Sequence, residues 1–273
     1  FYLIFNRPKI IFGMGGYASF PICIAAYILR IKFIIYENNL IIGKANKYLL
    51  PFTEKVLVSN TELTGIPNKF SHKIFKIGNI IKKEIIEFSK EKNEKTKTQV
   101  LSILILGGSQ AAKIFADILP NIFLQSKLNG IKLKIFQHCL KDQNEKLALF
   151  YQKNDINYEI FNFSYNLVEY FSKVNLAITR SGSSMLAELS NANIPFISVP
   201  LPSSADNHQF KNAEYYQRKN LSFLIEEKDL NNELFKLLKE VNNNRSLLDT
   251  IIQNQRQYSD KNVYNNINQL LKE

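Results

Sequence analysis

Apolar residues fall along this chain in short runs that stop at a glycine or a polar cluster, and amphipathic stretches lie between them. Residues 9–12 form the first run, halted by Gly13-Met14-Gly15-Gly16-Tyr17. Helical spacing follows over 19–29, with Pro21 in a first turn, where proline is tolerated. Residues 31–36 predict a buried strand that ends in Glu37-Asn38-Asn39, 43–50 a helix, 55–59 and 73–77 two more strands, and 80–88 a helix. Strand, glycine turn, helix and strand at this spacing is the βαβ pattern of a parallel sheet. Residues 89–99 lack apolar periodicity and predict a solvated linker. A second series then begins, with strands at 100–106, 132–138, 158–161, 176–179, 195–199 and 222–225. Helices are predicted between them, one running to about 127, others at 142–152 and 165–172, one leaving 180–188 and one carrying Asn212. Helical spacing over 230–241 and 246–271 closes the chain, and no repeat of solenoid length appears.

The pattern predicts an α/β chain of two doubly wound halves. In such sheets ligands bind beyond the carboxyl ends of the strands. The glycine or polar loops at 13–17, 37–39, 107–113, 162–166, 180–184 and 201–209 all belong at that end. One stretch stands out among them, Arg180-Ser181-Gly182-Ser183-Ser184-Met185-Leu186-Ala187-Glu188, where a strand runs into a loop of small residues and a helix runs out. Backbone N–H groups at a helix start attract an anion, and small residues let a phosphate approach. Glu188, more than one turn on, is placed to accept from a hydroxyl pair such as a ribose. Taken alone, the same stretch also fits a serine-rich helix cap.

Composition narrows the class. Lys+Arg 35 against Asp+Glu 24 gives +11 over 273 residues, a surplus that favours anionic partners such as nucleotides, nucleic acid or an acidic membrane surface. Two cysteines, Cys23 and Cys139, imply no disulfide framework, and His72, His138 and His208 lack partners at metal-ligand spacing. The apolar stretch 22–36 is interrupted by Arg30 and Lys32 and is too short to span a bilayer. The chain opens on Phe1-Tyr2-Leu3-Ile4-Phe5, in the middle of an apolar pattern, so a preceding piece is expected. Neither Gly13-x-Gly15 nor Gly107-Gly108 continues into a full G-x-G-x-x-G dinucleotide fingerprint.

Several motifs now occur in order: Gly15-Gly16-Tyr17, Glu37-Asn38-Asn39 followed by Gly43 and Asn46-Lys47, Gly107-Gly108-Ser109-Gln110, Arg180-Ser181-Gly182 with Glu188, Pro200-Leu201-Pro202, and His208-Gln209 with Asn212. Together they resemble the MurG type of bacterial GT-B glycosyltransferase, over nearly the whole chain. That resemblance implies two Rossmann-like domains facing across a cleft. It implies an inverting transfer of N-acetylglucosamine from UDP to the 4-hydroxyl of undecaprenyl-pyrophosphoryl-N-acetylmuramoyl-pentapeptide, lipid I to lipid II, in peptidoglycan synthesis. By the same resemblance, residues 1–88 form an acceptor and membrane-side domain, 89–99 a linker, 100–242 a UDP-sugar-binding domain, and 243–273 a C-terminal helix packing back toward the first domain. The resemblance puts the backbone at Ser164 toward the uracil, Glu188 toward the ribose, and Ser109 with the helix start at Ser183, Ser184 and Met185 toward the diphosphate, and it makes Gln110, Leu186 and Ala187 further substrate-binding positions. Gln209 and Asn39 reach the donor sugar, Lys82 approaches the phosphates, and Gly15, Gly16 and Tyr17 face the acceptor pyrophosphate. No cofactor is implied beyond the donor UDP-N-acetylglucosamine, no metal, and no nucleic acid. The implied partners are the undecaprenyl-linked acceptor and the anionic cytoplasmic face of the bacterial inner membrane, held peripherally. Lys44 and Lys47 beside Tyr48, Leu49, Leu50 and Phe52 are the candidate docking helix.

The chain departs from the family pattern in places. The family's first glycine-rich loop, with its proposed catalytic base, belongs before residue 1, which leaves Glu37 as the one catalytic candidate within the chain. Lys82 stands where arginine is usual, Met185 where threonine is, Ala111 and Lys113 where glycine and arginine are, and Tyr36 and Asn38 where histidine and glutamine are. The alternatives are a catalytically inactive nucleotide-sugar-binding protein of the same fold, a GT-B transferase for another acceptor, and, on charge alone, a nucleic-acid binder.

Overall fold

In the computed structural model two parallel sheets organise the chain, and the residues described are 2–91, 99–107, 109–164 and 166–272, without the side chains of 2, 89–91 and 109–112. Packing divides the chain into two units, 1–80 with 260–273, and 81–259.

The first unit begins with the short helix α1 (Tyr2–Phe5) and strand β1 (Ile10–Gly13), followed by α2 (Gly16–Ile28), β2 (Lys32–Glu37), α3 (Lys44–Leu49), β3 (Val56–Val58) and β4 (Ile74–Lys76). The four strands lie parallel in the order β1-β2-β3-β4. Side chains alternate across a strand, so β2 feeds two cores. Phe33 and Ile35 pack with Cys23, Ala26 and Leu49 from the helices on one face. Ile34 and Tyr36 pack on the other face with Leu57, Ile77 and Val263.

The second unit carries α4 (Lys83–Glu91), β5 (Leu101–Leu106), α5 (Ser109–Leu128), β6 (Leu133–His138), α6 (Asn144–Lys153), β7 (Asn157–Phe161), α7 (Val168–Phe171), β8 (Leu176–Thr179), α8 (Ser183–Asn191), β9 (Phe196–Ser198), α9 (His208–Arg218), β10 (Phe223–Leu224), α10 (Leu230–Asn243) and α11 (Ser246–Gln257). The same alternation works in β5. Leu101, Ile103 and Ile105 face Phe115, Leu119, Leu234 and Leu238, whereas Leu104 and Leu106 face Phe171, Leu186 and Leu189. Each fully buried leucine or phenylalanine contributes about 1.5–3 kcal/mol. The strand order is β10-β9-β8-β5-β6-β7, all parallel. Numbered within the unit this is the doubly wound order 3-2-1-4-5-6, whose direction reverses between β5 and β8.

The packing groups residues differently from the sequence partition in two places. The helix expected at 80–88 is α4, and Ile85 lies in the core of the second unit rather than the first. The single helix expected over 246–271 is broken into α11 and α12 (Val263–Lys272). Gln255 of α11 donates to the carbonyls of Ile194 and Leu221, which ties that helix to the second unit. Beyond the break, Asp260 accepts from the backbone and side-chain amides of Asn79, and α12 packs with the first unit. Of the expected linker, 92–98 lie outside the described residues.

Candidate functional site

The sheet reversal of the second unit places a gap at the carboxyl ends of β5 and β8, where Leu106 pairs with Thr179. A pocket of about 490 Å³ opens there. It gathers the residues that end β5, β6, β7 and β8, namely Leu106-Gly107, His138, Phe161 and Thr179-Arg180. Phe163, Ser164 and Leu167 from the loop after β7, Gly182 and Met185 from the start of α8, and Leu201 and Gln209 complete the lining. The wall is largely apolar and aromatic with few polar groups, the composition of a nucleoside-sized site.

The polar groups are held from behind. Arg180 is buried: its Nη1 donates to the carbonyls of Val199 and Pro200 at 3.3 and 3.2 Å, and its Nη2 to Glu227. Its guanidinium lies 5.1 Å from the Phe115 ring centre. Arg180 therefore fastens the loop after β9, and its cation is engaged within the fold rather than offered to an anion. Gln209 Oε1 accepts from the backbone N–H of Ser181 and Leu201 at 3.2 and 3.0 Å. Asn212 donates to the Ser181 carbonyl at 3.2 Å. The Gln209 and Asn212 amides thus hold the N–H and the carbonyl of Ser181, in two successive peptide groups, and the Gln209 Nε2 is left without a partner among the described residues.

On the opposite wall, Asn162 is held at its carbonyl by His138 Nε2 at 2.9 Å. Its side chain exchanges two amide hydrogen bonds with Asn144, at 2.7 and 3.0 Å, and donates to the Cys139 carbonyl. The Cys139 thiol donates to Asn144, and burial, with Asp142 nearby, pushes its pKa up to about 11. It is a structural thiol.

The residues predicted from sequence separate into groups. Ser164, Met185 and Gln209 line one pocket. Glu188 sits one turn beyond Met185, outside that lining, half-buried, with its pKa raised by burial, partly offset by the Lys82 cation and raised further by Glu84. Leu186 and Ala187 are buried, Leu186 within the core, and the Leu186 N–H already donates to the Gly182 carbonyl. Their side chains are packing residues rather than ligand contacts. Ser183 is buried and Ser184 exposed at the start of α8. Ser109 and Gln110 begin α5, and their side chains, like the whole of Gly108 and Tyr165, lie outside the described residues.

In the first unit, Glu37 is buried and accepts four hydrogen bonds. Oε1 takes the backbone and side-chain amides of Asn39, both at 3.0 Å, and Oε2 takes the Gly43 N–H and Asn46 Nδ2, both at 2.9 Å. A carboxylate offers about four acceptor sites, so Glu37 is saturated by its own loop. It is a structural hub for Asn39 and the start of α3 rather than a general base. Gly15 and Gly16 adopt φ of +78° and +76°, a conformation that turns the chain sharply into α2 and that side chains resist. Tyr17 follows them 93% exposed. Leu49 and Leu50, expected on a membrane-facing helix, are buried in the core of this unit. Among the described residues, no helix is long and apolar enough to cross a membrane, and no three His, Cys, Asp or Glu side chains gather as metal ligands.

Sequence reasoning missed His138 and Phe163 as pocket residues, and took Arg180 only as part of a motif. The available signal was position: His138 ends its strand as Leu106 and Thr179 end theirs.

Comparison with known proteins adds to this geometry. Residues 102–269 match the glycosyltransferase family 28 C-terminal domain and residues 2–58 the N-terminal domain of that family. A relative from Pelagibacter ubique (strain HTCC1062), named UDP-N-acetylglucosamine--N-acetylmuramyl-(pentapeptide) pyrophosphoryl-undecaprenol N-acetylglucosamine transferase, is 34% identical over 265 residues, 96% of this chain and 73% of its own length. A relative of the same name from Rickettsia felis (strain ATCC VR-1525 / URRWXCal2) is 34% identical over 259 residues, 91% of this chain and 72% of its own. Among solved structures, MurG of Acinetobacter baumannii matches with a TM-score of 0.79 at 23% identity, over 99% of this chain and 76% of that one.

Proposed function

Because this chain belongs to glycosyltransferase family 28 and to its MurG-type members, we propose that it transfers N-acetylglucosamine from UDP-N-acetylglucosamine to the 4-hydroxyl of undecaprenyl-pyrophosphoryl-N-acetylmuramoyl-pentapeptide. The observation that carries this reading is the pocket at the reversal of the second sheet, in a chain 34% identical to transferases named for that reaction. In the proposed arrangement the uracil lies against Phe163 and the backbone at Ser164, and Glu188 takes the ribose hydroxyls. The diphosphate meets the start of α8 around Ser183 to Met185, together with Ser109, Gln110 and the Lys82 cation. Gln209 donates from Nε2 to the sugar. Fixed dipoles and cations stabilise the charge that develops on UDP as it leaves. The first unit supplies the acceptor side through Gly15, Gly16 and Tyr17, with Asn39 as the sugar-contacting amide that Glu37 orients.

The same reading includes a peripheral membrane location. On the first unit, Ile22, Tyr27 and Ile28 of α2, and Tyr48 and Phe52 of the α3 region are exposed, with Lys44 and Lys47 beside them. Tyr27 and Phe52 rings stand 4.6 Å apart. Apolar side chains with nearby cations suit the surface of an anionic bilayer.

Calorimetry with UDP and UDP-N-acetylglucosamine tests the donor half. Saturable binding of both is expected. A well-folded protein that shows no heat with millimolar ligand rules the reading out.

A further inference from the structure

We infer that His138 is a positioning residue for the nucleotide base, acting through the Asn162 carbonyl. This inference rests on the donor reading of the same pocket. The histidine ends β6 and lines the pocket, and its ring stands 5.8 Å from Phe161. Its Nε2 faces the Asn162 carbonyl at 2.9 Å, and a carbonyl only accepts, so the proton sits on Nε2. The other ring nitrogen, Nδ1, is buried and has no partner among the described residues. The one hydrogen bond of this ring is therefore the one to the loop.

That loop is the platform for the base. Phe161 is the last residue of β7, and its carbonyl takes the Cys139 N–H at 3.1 Å. Asn162 follows, fixed at its carbonyl by His138 and at its side chain by Asn144 and the Cys139 carbonyl. Phe163 then projects 68% exposed into the pocket lining, and Ser164 caps the next turn by accepting from the Asn166 N–H at 3.2 Å. A peptide group has one orientation for its carbonyl and the following N–H together, because it is planar. Holding the Asn162 carbonyl toward His138 sets the direction of the Phe163 N–H, and with it the path of the backbone at Phe163 and Ser164. His138 thus orders the edge that reads the base and makes no demand on the diphosphate.

The test is calorimetry of the full chain with UDP and, separately, with inorganic pyrophosphate. His138→Phe keeps an aromatic ring and removes the donor. It is expected to weaken UDP about tenfold, the order of one lost hydrogen bond in an ordered site, and to leave pyrophosphate unchanged. His138→Gln restores an N–H donor and is expected within about threefold of the parent protein. Asn144→Ala loosens Asn162 by another route, and a UDP-specific loss is expected there too, which decides the matter if His138→Phe fails to fold. UDP binding unchanged in the folded variants, or an equal loss for UDP and pyrophosphate, overturns the inference while the donor reading stands. A parent protein that binds no UDP overturns the donor reading, and this inference with it.

Discussion

Gln209 shows how a single amide is committed by its neighbours. Two backbone N–H groups point at its Oε1, so the amide cannot turn over without setting donors against donors. Only Nε2 remains to donate, and in the proposed arrangement it meets the sugar. Gln209→Glu keeps the acceptor for both backbone groups and loses that donor. The preference for UDP-N-acetylglucosamine over UDP, measured as a ratio of affinities, is expected to fall about tenfold. Glu188 makes a second case. Burial raises its pKa above the ordinary 4.5, and the attraction of Lys82 offsets this only in part. The folded state then holds the proton more tightly than the unfolded chain does, so stability falls as pH rises from about 4.5 through the raised value. Glu188→Gln removes that cost where the carboxylate is charged. Its melting temperature is expected above that of the parent at pH 7 and level with it at pH 4, while UDP affinity falls.

At the scale of elements, α2 and α3 explain which part of a predicted face survives folding. The sequence placed Lys44, Lys47, Tyr48, Leu49, Leu50 and Phe52 together as a docking helix. In the structure α3 turns Leu49 inward, and Leu50 after it, and leaves Lys44, Lys47 and Tyr48 outside. The apolar part of the outer face comes from Tyr48 and Phe52 together with Ile22, Tyr27 and Ile28 of α2. Helical spacing identified both elements, but it could not say which side of α3 meets the sheet, since both sides carry apolar residues. Each cation near an anionic bilayer contributes about 1 kcal/mol. Lys44→Glu with Lys47→Glu is therefore expected to reduce sedimentation with phosphatidylglycerol vesicles at least about tenfold, with UDP affinity unchanged. Equal binding of parent and variant would remove this face from the membrane reading.

For the molecule as a whole, the last helix belongs with the first unit. Val263 is fully buried, and Tyr264, Ile267 and Leu270 pack beside it on the sheet face formed by Ile34, Tyr36 and Leu57. Lys55 donates to the Leu270 carbonyl and Asn266 to the Ile77 carbonyl, which adds polar fastening. Removing residues 263–273 strips one face of that sheet. With about 1.5–3 kcal/mol for one buried apolar side chain, the loss is expected to amount to several kcal/mol for the first unit. Circular dichroism melts of the truncated chain are expected to show an early transition for the first unit, while UDP binding, which we propose belongs to the second unit, persists below that temperature.

The alternation of apolar runs with amphipathic stretches determined the parallel α/β class, the presence of two sheets and the strand ends at which polar loops gather. These depend on side-chain period and turn chemistry, which are local. The order of motifs pointed to the family for the same reason, since spacing along the chain is written in the sequence. Tertiary structure alone decided what each polar group has left to offer. Glu37 and Arg180 look like chemistry in the sequence, but Glu37 accepts four hydrogen bonds from its own loop and Arg180 spends Nη1 and Nη2 on Val199, Pro200 and Glu227. His138 looks like an isolated histidine, and the sheet order sets it in the pocket beside Asn162. The partners of Arg180 and His138 come from segments distant in the chain, and those of Glu37 from the turn and helix that follow its strand, so what each group has left to offer appears only once the chain is folded.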